Sequence, residues 1–317
     1  MMFAPILAMH IPDGLLNVPV SLVGWLLLAV LVAVALPQTR QQFGERQVPL
    51  MGVLAACVFA AQMINFPIPG GTSGHLMGGT LVAVLLGPWA AVLVMTSVIA
   101  VQGLLFQDGG LLVMGFNVIN MGVISAFVGY ATYRWLYRLL PKTPATQLAA
   151  VGAGAWLSVT LAAAAAALEL AISGTSPLNV ALPAMVGVHV LIGIGEALIT
   201  VAALAFIRQT RPDLLGETAP VAAQGSSLVA VGLMIALVIT LVSPLANPNP
   251  DGLERVAEDQ GFSQLAQEAP YTVLPDYTVP FIQDEALTTI VAGVLGVLVV
   301  AGVSFGVSRL TGRKSTE

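Results

Sequence analysis

Charge is what this sequence has least of. Asp, Glu, Lys and Arg make up 9% of its 317 residues, against about a quarter in an ordinary soluble domain. With 57% hydrophobic residues, the chain lacks the polar surface to face water and is expected to lie in a bilayer. Its single cysteine, Cys57, sits in an apolar run, which excludes a disulfide framework. The net charge of -5 comes mainly from one acidic stretch near the C-terminus, so nucleic acid is not an expected partner. No Gly-x-x-x-x-Gly-Lys-Ser/Thr loop occurs, so the chain does not hydrolyse ATP in the P-loop manner. Neither a His-Glu-x-x-His helix nor a Gly-x-Ser-x-Gly elbow is present, which weakens an enzymatic reading.

Long apolar runs are abundant. Crossing a hydrocarbon layer of ~30 Å takes about 20 residues. Runs of that kind lie near 19–37, 49–65, 88–106, 111–139, 147–173, 178–207, 225–243 and 286–308. A shorter run, 76–87, joins the next at Gly87-Pro88. The expected fold is an all-α integral membrane protein of about nine helices. If every segment crosses, Arg40, Arg46, Arg134, Arg138, Lys142, Arg208, Arg211, Arg309, Arg313 and Lys314 all fall on one side. Cationic loops mark the cytoplasm. The expected topology has the N-terminus outside and the C-terminus inside, with Arg255 the exception.

The segments divide the chain. Residues 1–8 (MMFAPILA) are an apolar extension without a basic region, shorter than a signal peptide. Residues 9–212 read as one seven-helix unit, 213–224 as a polar cytoplasmic linker, and 225–317 as a helical hairpin. The hairpin carries an external insert, 244–285, rich in Asp and Glu. It looks like a separate small protein fused on. In the insert, Asp251, Glu254, Glu258 and Asp259 could gather cations. The simpler reading makes Asp251 and Glu254 the capping pair of a short helix.

Three histidines remain to be explained. His10, in MHIPDGLL, and His75, in FPIPGGTSGH, both fall on the outer face, each beside a Pro/Gly-rich turn. They can converge on one ion, or each can make an ordinary interfacial hydrogen bond. His10 offers a further possibility if Met9 is the first residue, either because translation begins there or because the octapeptide is removed after Ala8. The Met9 amine, the His10 amide nitrogen and the His10 imidazole would then be three nitrogens from one dipeptide, with His75 as the fourth. Square-planar nitrogen coordination selects Ni(II) or Cu(II), and low-spin Co(II) also accepts it. A peptide bond ahead of Met9 removes the amine and this chelate with it. His189 and Glu196 lie about two turns apart on one helix face. Ionisable residues inside a span mark function by default, although a buried network that orients helices would look the same. Asn117 and Asn120 fit helix-to-helix hydrogen bonds or the lining of the site. Gln102, Gln107 and Asp108 are weaker candidates.

Four stretches then point to a family. MHIPDGLL at 9–16, FPIPGGTSGHLMGGTLVAVLLGPWAAVLVM at 66–95, DGGLLVMGFNVINMGV at 108–123 and IGIGEALIT at 192–200 resemble the CbiM/NikM family. Its members are the substrate-binding S-components of energy-coupling factor transporters for cobalt and nickel. NPNPDGLERVAEDQGF at 247–262 resembles the PDGLE motif of the CbiN/NikN accessory component, so the chain resembles a fusion of the two. The resemblance implies a metal held by Met9, His10 and His75, with Co(II) or Ni(II) as cargo and no cofactor. It also implies a transmembrane coupling subunit and two cytoplasmic ATPases as partners in the cell membrane. Small residues on a helix make the contact to that coupling subunit, and Ala29 and Ala33 have the small-xxx-small spacing. The rival expectations are an intramembrane metalloenzyme and a metal sensor that does not transport.

Overall fold

The structure is a computed structural model and describes residues 10–42, 48–215 and 225–311. It is a helical membrane bundle. The long rods are α1 (Val18–Gln42), α2 (Val48–Gln62), α4 (Pro88–Val101), α7 (Pro144–Ile172), α8 (Leu178–Thr210), α9 (Gly225–Val242) and α11 (Glu285–Thr311). Between α2 and α4 stand a two-stranded hairpin, β1 (Phe66–Ile68) and β2 (Thr72–Gly74), and the short α3 (Gly79–Leu86). Helices α5 (Met114–Val118) and α6 (Ser125–Leu139) form one rod, joined through a wider π-helical turn at Ile119–Ile124. A second π turn, Gln102–Phe106, ends α4. Six of these rods are long and apolar enough to span a membrane by themselves.

Local chemistry sets most of the boundaries. The Asn17 side chain accepts from the Val20 N–H at 3.0 Å and caps α1. Thr143 and Thr146 form a capping box ahead of α7, with Pro144 in the first turn. There the missing proline N–H costs nothing. The β1–β2 turn runs through Gly70 and Gly71 at φ 101° and 75°, a backbone that residues with a Cβ rarely adopt. This hairpin and the π turns were not expected from apolar periodicity. Each is short, and each carries a residue of the candidate site or its neighbour.

The bundle is held by close backbone approaches. A methyl group added at Gly154 of α7 would stand 2.4 Å from the Gly129 carbonyl oxygen of α6, and one at Gly115 would stand 2.4 Å from the Gly24 carbonyl carbon of α1. The C-terminal hairpin is not a detached module. Its two helices clasp α2, and Gly296 of α11 fits against the Phe59 ring of α2. Apolar side chains such as Leu22, Leu26 and Val30 on α1 and Leu198 on α8 face outward, as lipid contact requires.

Gly154→Val is expected to separate α6 from α7 at a cost of about 1–3 kcal/mol, the usual range for overpacking. The thermal midpoint in detergent measures it, and a midpoint equal to that of the parent would show that the two backbones do not touch.

Candidate metal centre

All three histidines line one cavity of about 90 Å³. The His10 and His75 ring centroids lie 6.0 Å apart with their planes at 70°. Metal–imidazole bonds of about 2.0–2.1 Å put two rings on one ion roughly 4.5–6.4 Å apart by centroid, from cis to trans. The observed separation falls inside that window without any backbone movement.

His10 is 2% exposed. It sits in the segment 10–16, which is threaded against the loop after α4. The Ile11 N–H donates to Asn117 Oδ1 at 3.0 Å, and Asn117 Nδ2 donates back to the Ile11 carbonyl at 3.0 Å. The next anchor is Asp13, whose carboxylate accepts from the Leu111, Leu112 and Val113 N–H groups at 3.0, 2.9 and 3.2 Å. With its backbone pinned at both residues, the imidazole has a fixed origin. His10 Nδ1 lies 2.9 Å from Asp108 Oδ1 and 3.0 Å from the Asp108 carbonyl oxygen. Nε2 is buried and has no hydrogen-bond partner among the described residues. Burial alone would pull the imidazole pKa down, but the Asp108 charge and hydrogen bonds outweigh it and hold His10 above its ordinary value. Burial conversely pushes Asp108 up, and the His10 charge outweighs it, so Asp108 stays ionised.

His75 follows β2 directly, and its Nδ1 lies 3.0 Å from the Leu76 carbonyl oxygen. The loop behind it is held by Glu196, which is fully buried on α8. Its carboxylate accepts from the Met77 N–H at 2.6 Å and the Gly78 N–H at 3.0 Å. His189 contacts its own helix, with Nδ1 2.7 Å from the Met185 carbonyl oxygen, and lines the cavity wall. It makes no hydrogen bond to Glu196, so the two serve different neighbours. Asn120, in the π turn, donates to Glu169 Oε2 at 2.9 Å, while its own Oδ1 is buried without a partner among the described residues.

The fold therefore brings His10, His75, His189, Asn117 and Asn120 to one cavity, with Glu196 behind the His75 loop. Met9 lies outside the described residues, as do residues 1–8 and most of the linker. Among the described residues, no group of three or more His, Cys, Asp or Glu side chains is arranged to hold an ion. The chelate expected from the sequence would add the Met9-His10 dipeptide to the His75 imidazole. That chelate would close through His10 Nδ1, the nitrogen nearer the backbone. In the structure Nδ1 is on Asp108, and Nε2 is the nitrogen left without a partner among the described residues.

The insert roofs the cavity. Asp251, Gly252 and Leu253 line it, and a Cβ at Gly252 would stand 2.7 Å from the His189 ring. Ser73 of β2 donates its N–H to the Pro250 carbonyl at 2.8 Å and its hydroxyl to the Asn249 carbonyl at 2.8 Å. Asp251 caps helix α10 (Gly252–Gln260) in a reciprocal box with Glu254, as the simpler reading of the acidic stretch expected. Asp259 pairs with Arg255. Two residues were undervalued by sequence reasoning. Asp108 was ranked low, and Tyr277 was not singled out, although its hydroxyl donates to Asp108 Oδ2 at 2.8 Å. Both act through contacts about 100 or more residues apart in sequence, which no periodicity reveals.

The description "Cobalt uptake substrate-specific transmembrane region", that of the family CbiM, matches residues 10–214. The chain belongs to the CbiM family. Residues 226–313 match the PDGLE domain. A putative fused nickel transport protein NikMN of Archaeoglobus fulgidus is 35% identical over 95% of this chain and 98% of its own. A cobalt transport protein CbiM of Sorangium cellulosum is 35% identical over 65% of this chain and 94% of its own. The crystal structure of a truncated transition metal transporter aligns with a TM-score of 0.57 and 36% identity, covering 63% of this chain and 99% of that one. This CbiM-family chain is a multi-pass membrane component of metal transport fused to a PDGLE domain, and it is not an enzyme.

Asp13→Ala would leave three N–H groups of the 111–113 turn without acceptors. Unmade hydrogen bonds at buried donors cost about 1–3 kcal/mol each, so a loss of at least about 2 kcal/mol is expected. Faster amide exchange at 111–113 measures it.

Proposed function

We propose that this chain is the substrate-capturing S-component of an energy-coupling factor importer, taking Co(II) or Ni(II) from outside the cell with His10 and His75 as ligands. The observation that carries this reading is the pairing of the two imidazoles at 6.0 Å in the lining of one cavity, with His10 Nε2 buried and without a hydrogen-bond partner among the described residues. Both nitrogen ligands suit these ions.

A second reading of the coordination rests on the Met9-His10 pair in the sequence. If Met9 is the first residue, its amine, the His10 amide nitrogen, His10 Nδ1 and the His75 imidazole make a square-planar set. For this the His10 ring must turn about Cβ–Cγ so that Nδ1 leaves Asp108. Domain boundaries at 9–212, 213–224 and 225–317 fit the arrangement, with the insert on the outer face and both ends of the hairpin in the cytoplasm. The cationic residues at the ends of α1, α6, α8 and α11 support the N-out, C-in orientation. With no P-loop of its own, the chain would draw on two ATPase subunits through a transmembrane coupling subunit. Ala29 and Ala33 lie exposed on α1 and are available for that contact.

Protein beginning at Met9 and held in lipid nanodiscs should bind one equivalent of Co(II) or Ni(II), measured by titration calorimetry. His10→Ala or His75→Ala should abolish binding; a His75→Ala variant that binds as the parent does would eliminate the site. Affinity should fall as pH drops, since imidazole and amine donors must shed protons. The absorption band of planar Ni(II) should appear only when residues 1–8 are absent, and its presence in protein that retains them would rule out the dipeptide chelate.

A further inference from the structure

The far end of α6 carries a cluster that metal capture does not use. Asn117, Asn120 and Met121 line the cavity near the start of the α5–α6 rod. At 1.5 Å per residue, Arg134 stands about 20 Å beyond Met121 and about 30 Å from Met114. The second length is the thickness of a hydrocarbon layer, so α6 leaves the membrane where its cations begin.

Tyrosines organise this end. Tyr130, Tyr133 and Tyr137 follow one helix face, with centroids 6.1 Å apart for the first pair and 5.8 Å for the second. Two cations fold back on the ladder. The Arg134 guanidinium carbon lies 6.0 Å from the Tyr130 ring centre, and Lys142 Nζ lies 4.3 Å from that of Tyr137. The middle ring is tied to the neighbouring helices: Gln147 Nε2 of α7 donates to the Tyr133 hydroxyl at 3.3 Å, and Arg208 of α8 donates to Gln147 Oε1 at 2.6 Å.

Charge here is unbalanced. Arg211 has Asp213 at 2.7 Å, but no carboxylate pairs with Arg134, Arg138 or Lys142 among the described residues, and all three are exposed. Beside them Trp135 and Leu139 are 62% and 67% exposed. An acidic protein surface would answer the charge but leave this apolar stripe unexplained. A phospholipid answers both, with its chains on the stripe and its phosphodiester on the cations. Tyrosine and tryptophan rings collect at that depth, and a guanidinium fork matches phosphate oxygens. The cation–π contacts hold Arg134 and Lys142 in place beforehand, so less freedom is lost on binding.

We propose that the end of α6 is a headgroup site for an anionic phospholipid, its phosphodiester held by Arg134 and Lys142 and its chains lying against Trp135 and Leu139. The site needs only that α6 ends at a membrane surface, and it stands whether or not His10 and His75 bind an ion.

The full chain is placed in nanodiscs of phosphatidylcholine mixed with phosphatidylglycerol, then released into detergent, and the lipids it keeps are identified by native mass spectrometry. Attraction of roughly fivefold per surface cation predicts that the parent keeps phosphatidylglycerol at least about fivefold above its share of the disc. Arg134→Gln combined with Lys142→Gln should bring retention down to that share, with helix content by circular dichroism as in the parent. Tyr137→Leu keeps both cations but releases Lys142, and should lose part of the enrichment. Arg255→Gln, on the insert, should lose none. In discs of phosphatidylcholine alone, inorganic phosphate should not be retained, because the chains supply part of the grip; phosphate held there would overturn the lipid assignment. A double variant as enriched as the parent would overturn the site, and so would a parent without enrichment, which would leave these cations to an acidic protein. An equal loss in Arg255→Gln would reduce the effect to net charge and sink the proposal.

Discussion

One buried contact organises this end of the molecule: the Asp108 carboxylate on the His10 imidazole. An ionised carboxylate in an apolar setting is unfavourable unless it is paired and hydrogen-bonded. Asp108 has one partner on each oxygen, His10 on Oδ1 and Tyr277 on Oδ2, and so draws together the N-terminal turn, the loop after α4 and the insert. Each partner is held elsewhere as well, His10 through Ile11 and Asp13, and Tyr277 through its stack on Phe106. His10 is thus placed by loops whose backbones are pinned by hydrogen bonds on both sides.

A second carboxylate does comparable work for His75. Glu196 projects from α8 and takes the Met77 and Gly78 amides of the loop behind it. The two histidines are therefore supported from different elements and by different donors, one through its side chain and the other through its loop. His189 belongs to the wall of the same cavity but is tied to its own helix.

Most of the bundle was legible in the sequence because apolar length is the dominant signal for a membrane helix. The spans at 19–37 and 147–173 differ from the observed helices only at their ends, where the caps Asn17 and Thr143 decide the start. Loop placement left open whether His10 and His75 would meet or each make its own hydrogen bond, and the rings stand 6.0 Å apart. What stayed hidden was of another kind. Asp108 looks like one more polar residue at a helix end until the fold places His10 beside it. Tyr277 sits in a stretch without any periodic pattern. The hairpin at 66–74 is three residues per strand, too short for alternation to register. Pro-Asp-Gly-Leu occurs twice, at 12–15 and 250–253, and both aspartates accept backbone N–H groups, Asp13 across the chain and Asp251 within its own helix. A turn-forming motif was readable, but not which turn it would satisfy.

In the seam between β2 and the insert, the insert contributes main-chain atoms only, met by two hydroxyls and a backbone N–H of β2. Ser73 and Thr72 reach the carbonyls of Asn249 and Pro250, and Asn65 receives the amide of Asn247. Such a seam is indifferent to most side-chain replacement on the insert's side. The two halves of this polypeptide can accordingly drift apart in sequence, or be encoded as separate chains, and still find one another in register.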